Sequence, residues 1–146
     1  VRIVFGSDHA GLDAKRALMA SLANAGHELM DLGTDSHESC DYPDFAGAVA
    51  RAVATGEADR GVLICGTGQG VAMSANKVPG ARAGVVTDAF SAAMIREHND
   101  AKIICFGARI IAQASMERLL SVFLATDFAG GRHQRRVDKL EGLSQG

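Results

Sequence analysis

A three-layer α/β/α sandwich around a five-stranded parallel sheet, Rossmann-like in plan, is the fold this sequence predicts. Three observations carry it: five apolar runs of strand length, helical apolar periods between them, and cap-type residues where one pattern gives way to the other. Strict alternation of strand and helix implies right-handed crossovers, and therefore parallel strands with helices on both faces.

The strand candidates are VRIVF (1–5), HELMDL (27–32), GVLIC (61–65), ARAGVV (81–86) and KIICFG (102–107), several of them rich in valine and isoleucine. Between them Ala14, Leu18, Leu22 and Ala25 recur every three or four residues. So do Phe45, Ala48, Val49, Ala52 and Val53, and later Met116, Leu119, Leu120, Phe123 and Leu124; each set makes one buried helical stripe. Gly26 and Gly56 stand where helix C-caps fall, and Asp88 is placed as an N-cap before AFSAAMIREH. The polar tail GGRHQRRVDKLEGLSQG reads as an extra C-terminal helix after a glycine hinge. A common order for five such strands is 2-1-3-4-5, which sets the first and third side by side.

At 146 residues, 47% hydrophobic, the chain holds one well-buried core and is too short for two ordinary domains, so residues 1–146 read as one domain. A formal charge of -2 gives no electrostatic case for nucleic acid or an anionic membrane. There is no charged-then-apolar leader, and no apolar run approaches the roughly 20 residues that span a bilayer, so a soluble, cytoplasmic protein is expected. Cys40, Cys65 and Cys105 form no C-x-x-C pair, which favours free thiols in a reducing compartment over disulfides or structural zinc. The five histidines lack metal-ligand spacing, so neither a metal nor a cofactor is expected.

The segment GVLICGTGQGVAMSANK (61–77) is the most suggestive. A strand-end cysteine is often mere packing, and a glycine-rich turn is often only a tight connection. Together, however, Gly66, Gly68 and Gly70 allow backbone N–H groups to converge on an anion, with the positive end of a following helix aimed the same way. Such a setting stabilises a thiolate or an enediolate oxygen. The G-x-G-x-G spacing matches no dinucleotide fingerprint, and no P-loop lysine follows. With strands one and three adjacent, Asp8, His9, Cys65 and Thr67 share one crevice.

The remaining candidates each admit a plain structural role. Asp8 suits a helix N-cap, and His98 in REHND suits a helix C-terminus. Arg132 and Arg136, four apart on one helix face, suit either a phosphate monoester or a solvated helix start. His98 and these arginines lie on elements that do not reach the crevice in one subunit, so a homodimer with sites shared across its interface is expected.

Taken together, GSDHAG, DYPDFA, ICGTGQG, SANKVPGARA, REHNDAK, FGAR and GGRHQRR resemble, in order and over nearly the whole chain, the ribose-5-phosphate isomerase B family and its galactose-6-phosphate relatives. The resemblance implies the sandwich fold, a shared-site dimer with a tetramer possible, and metal-independent interconversion of an aldose and a ketose phosphate. The typical pair is ribose 5-phosphate and ribulose 5-phosphate, joined by a cis-enediolate. It further implies Cys65 as the base between C1 and C2, with the backbone of Gly66, Gly68, Gln69 and Gly70 holding the enediolate oxygen and Thr67 relaying protons. His98 matches the ring-opening residue, Asn99 and Asp8 the groups on sugar hydroxyls, and Arg109, Arg132 and Arg136 the phosphate clamp. His9 matches a ligand contact, and Tyr42 either a pocket wall or a packing residue.

One branch of that family carries serine at the cysteine position and a glutamate base after the last loop glycine. Here that position is Val71, which places the chain with the cysteine branch. Two rivals stand beside the pentose reading. The same motifs would serve an isomerase of galactose 6-phosphate, allose 6-phosphate or a tetrulose phosphate, and a non-catalytic sugar-phosphate sensor would need only the clamp and hydroxyl contacts.

Overall fold

The computed structural model describes residues 1–145. Strands β1 (Arg2–Ser7), β2 (Glu28–Asp31), β3 (Arg60–Cys65), β4 (Ala83–Val85) and β5 (Ile103–Gly107) form one parallel sheet. Helices α1 (Leu12–Ser21), α2 (Tyr42–Ala54), α3 (Gln69–Ala75), α4 (Ala89–Glu97) and α5 (Gln113–Ala125) alternate with them, and α6 (Arg132–Gly142) follows. Side-chain alternation splits the core into two layers. Val4, Leu63, Cys65 and Cys105 face α2 and α3, while Ile3, Phe5, Val62, Ile64 and Phe106 face α1, α4 and α5.

The strand order is β2-β1-β3-β5-β4, which corrects the expected 2-1-3-4-5 in its last two places. Burial explains the exchange. All five residues of β5 are buried, so it loses most at an edge, whereas β4 is three half-buried residues including Gly84. The open edge of β4 is blocked by Asn76, whose side-chain N–H donates to the Ala83 carbonyl and whose Oδ1 accepts the Ala83 N–H, both at 2.8 Å. The exchange also brings the loop after β5 beside the loop after β3.

Boundaries follow local chemistry. Asp88 caps α4 by accepting the Ser91 N–H at 2.8 Å, and Gly56, at φ +85°, sits just past the α2 C-cap Thr55. Gly26 is not a direct C-cap: α1 stops at Ser21 with Leu22 as cap, and Gly26, at φ +82°, closes the turn four residues later. The period through Leu22 and Ala25 outlasts the helix because those residues fall in that turn.

Candidate active site

The carboxyl ends of β1, β3 and β5 converge on one crevice. Asp8 is buried; its N–H donates to the Ile64 carbonyl at 3.3 Å, and its Oδ1 accepts N–H groups of Ala10 (3.0 Å) and Gly11 (3.3 Å). One carboxylate oxygen therefore caps the short turn His9–Gly11, while the carboxylate itself stays at the crevice. His9 Nδ1 accepts the Cys40 N–H at 3.2 Å, which leaves Nε2 as its proton-bearing nitrogen in the neutral ring.

Cys65 ends β3, is 4% exposed, and its Sγ accepts the Gly68 N–H at 3.2 Å. Gly68 adopts φ +85°, a conformation that returns the chain over the thiol and starts α3 at Gln69. Thr67 and Gln69 are exposed at the rim, with Thr67 Oγ1 accepting the Gln69 N–H at 3.3 Å. The Tyr42 ring lies against Gly70, where a Cβ would come within 2.7 Å of it, so Tyr42 both walls the crevice and packs. From β5, the Ala108 N–H donates to the Cys65 carbonyl (2.9 Å) and the Arg109 N–H to the Gly66 carbonyl (3.0 Å). The exposed Arg109 guanidinium consequently sits beside Gly66, a placement the corrected strand order provides.

The other two cysteines divide cleanly. Full burial, with Cys65 adding to it, pushes the Cys105 thiol well above the ordinary cysteine range, so Cys105 is an inert packing residue. Cys40 is half-buried and orients His9 through its backbone.

A second cluster forms at the opposite end of the sheet. His98 is the C-cap of α4, followed by exposed Asn99 and then Asp100 at φ +47°. His98 stacks on His133 of α6, ring centroids 4.3 Å apart, and exposed Arg132 and Arg136 flank that ring along α6. A cleft of about 400 Å³ opens beside Asn99, lined also by Asn76, Arg82, Gly84, Ile95 and Leu140. Arg82 ties the cluster together: its Nη1 donates to Glu141 (2.7 Å), and its Nε to the Asp100 carbonyl (3.2 Å). Buried Arg96 donates through Nη1 to the Asp100 carboxylate Oδ1 at 2.8 Å.

One chain thus brings Asp8, His9, Tyr42, Cys65 to Gly70 and Arg109 together, and His98, Asn99, Arg132 and Arg136 together, but keeps the two groups apart. Between them lies at least the length of β5, five residues or about 16 Å. Sequence reasoning missed His133, Arg82, Asp100, Glu141 and Cys40. His133 lies between the two expected arginines, and Arg82 and Asp100 lie inside the SANKVPGARA and REHNDAK motifs.

An α/β sandwich with a thiol and a glycine-rich turn at its topological switch point is the framework of a small-molecule enzyme. The chain belongs to the Ribose/Galactose Isomerase family, which matches residues 3–140. It is 42% identical to ribose-5-phosphate isomerase B of Escherichia coli, covering 99% of this chain and 97% of that one. Its structure is similar to that of ribose-5-phosphate isomerase B from Clostridium thermocellum, with a TM-score of 0.98, 46% identity and coverage of 99% and 98%. It is also similar to the Mycoplasma genitalium enzyme with bound ribulose-5-phosphate, with a TM-score of 0.94, 39% identity and coverage of 99% and 96%. Among the described residues, no helix is long and apolar enough to cross a membrane.

Proposed function

We propose that this isomerase interconverts ribose 5-phosphate and ribulose 5-phosphate through a cis-enediolate, in a homodimer where the Cys65 cluster of one subunit faces the His98 cluster of the other. The observation that carries the reading is the Gly68 N–H held 3.2 Å from the Cys65 sulfur at the rim of a glycine-rich turn. It sets a base beside N–H donors suited to a developing oxyanion. The named relatives support the substrate, and the split between the two clusters supports the dimer.

Ring opening comes first. His98 delivers a proton to the furanose ring oxygen as its bond to C1 breaks, and the anomeric hydroxyl yields its proton to water, leaving an aldehyde. Cys65, once deprotonated, then takes the proton from C2. Negative charge moves to O1, where the backbone N–H groups of the Gly66–Gly70 turn receive it. Thr67 relays the O2 proton to O1, and the thiol returns a proton to C1, so that C2 becomes the ketone. Arg109, Arg132 and Arg136 hold the phosphate, while Asp8, His9 and Asn99 hold hydroxyls and the chain. Binding energy gathered at the phosphate orients the distant reacting carbons.

The test is a proton NMR time course of chelator-treated protein with ribose 5-phosphate in deuterated water. The expected result is ribulose 5-phosphate carrying deuterium at C1; absence of both turnover and exchange would refute it. Because the family also embraces galactose isomerases, galactose 6-phosphate belongs in the same assay. A higher kcat/KM for the hexose phosphate would move the assignment to that substrate.

A further inference from the structure

His98 does not stand alone at its end of the sheet. His133, second residue of α6, lies face to face with it, centroids 4.3 Å apart and planes within 14°. The stack is held from both sides. Ahead of α6, the Ala129 N–H donates to the Glu97 carbonyl at 3.0 Å. At its far end, Glu141 accepts from Arg82 Nη1 at 2.7 Å and from the Gly80 N–H at 2.9 Å. Among the described residues no hydrogen bond to either imidazole accompanies the stack.

We propose that His133 is a positioning residue for sugar-ring opening: its face fixes the plane of the His98 imidazole, so that the proton-bearing edge of that ring meets the furanose oxygen. The inference rests on the pentose phosphate reading above. The titratable and charged groups around His133 are His98 and Glu97 from α4 and Arg132 and Arg136 from α6. Loss of hydration first, then His98 and the two arginines, push His133 below the ordinary imidazole range, with Glu97 opposing. A His133 pushed below its ordinary range favours the neutral ring, which offers a flat π face to its neighbour. His133 takes no part in proton transfer at carbon, which belongs to Cys65 at the other end of the sheet.

That division supplies the experiment. Ribulose 5-phosphate, with its 5-hydroxyl esterified, stays open-chain, so solvent deuterium enters its C1 by thiol chemistry without ring opening. In His133→Ala, turnover of ribose 5-phosphate should fall about tenfold or more, while deuterium exchange into ribulose 5-phosphate stays within about twofold of the wild type. His133→Phe, which keeps a flat ring, should recover most of the lost turnover. Equal loss of both reactions, loss of neither, or a phenylalanine variant as slow as the alanine one would overturn the proposal. A wild-type protein that performs neither reaction would overturn the isomerase reading itself, and this proposal with it.

Discussion

Gly107 lies outside every group expected to touch the substrate, yet replacing it should disable the enzyme. A Cβ at this position would sit 2.6 Å from the carbonyl carbon and oxygen of Thr67, where ordinary contact begins at 3.4 Å. One side must retreat by about 0.8 Å. β5 cannot readily do so, because it is buried and paired to both β3 and β4. The Thr67–Gly68 turn therefore gives way, and with it the N–H that faces the Cys65 sulfur. Overpacking of this kind costs about 1–3 kcal/mol of stability, and a misplacement near 1 Å costs about 100-fold in rate. Gly107→Ala should thus lower the melting temperature modestly and kcat by about two orders of magnitude. Gly142→Ala is the control, since nothing lies within 4 Å of its added Cβ in α6. Steady-state kinetics and thermal melts of both variants check this; a Gly107→Ala enzyme with kcat within about threefold of wild type would refute the packing account of the turn.

Three further outcomes follow from single contacts in the structure. Cys65→Ala should lower kcat by about 10²–10⁴ while leaving phosphate affinity nearly unchanged, as read by turnover and by titration with a non-isomerisable sugar phosphate. Lys15 is fully buried and donates to Asp31 and to the Thr34 carbonyl, both at 2.6 Å. Asp31→Ala strands that ammonium and should cost about 3–5 kcal/mol in denaturant unfolding, whereas the double variant Asp31→Ala/Lys15→Met should regain much of it. Arg2, through its side-chain and backbone N–H groups, holds the Asp59 carboxyl below the ordinary aspartate range. A depressed carboxyl contributes stability above its unfolded pKa and loses it as pH falls through the folded value. Asp59→Asn should therefore melt below wild type at pH 7, with the gap between the two narrowing as pH falls below the ordinary carboxylate value of about 3.9.

Local pattern carried most of the fold. Strand and helix periods, the Asp88 cap and the adjacency of β1 and β3 follow from neighbours in sequence, and they suffice to place Asp8, His9 and Cys65 together. Less legible was the order of the last two strands. KIICFG and ARAGVV both read as apolar runs, and their places depend on how much each loses at an edge, a comparison made only once the chain is folded. For the same reason the contact of Arg109 with the Gly66 turn was invisible. The bond from Cys40 to His9 spans 31 residues, and the clasp from Arg82 to Glu141 spans 59. Neither has a local signature, because turn chemistry and helix periods describe only nearby residues.

The central claim is that each active site joins Cys65 of one subunit to His98 of its partner. The most direct measurement is the activity of heterodimers isolated with two affinity tags. Pairing a Cys65→Ala subunit with a His98→Ala subunit leaves one site with both native groups, and should give about half of wild-type activity from two nearly inactive parents. Pairing wild type with a chain carrying both substitutions should give almost none, since each site then lacks one group. Sites built within single chains would show the reverse, an inactive first heterodimer and a half-active second, and that result would contradict the account.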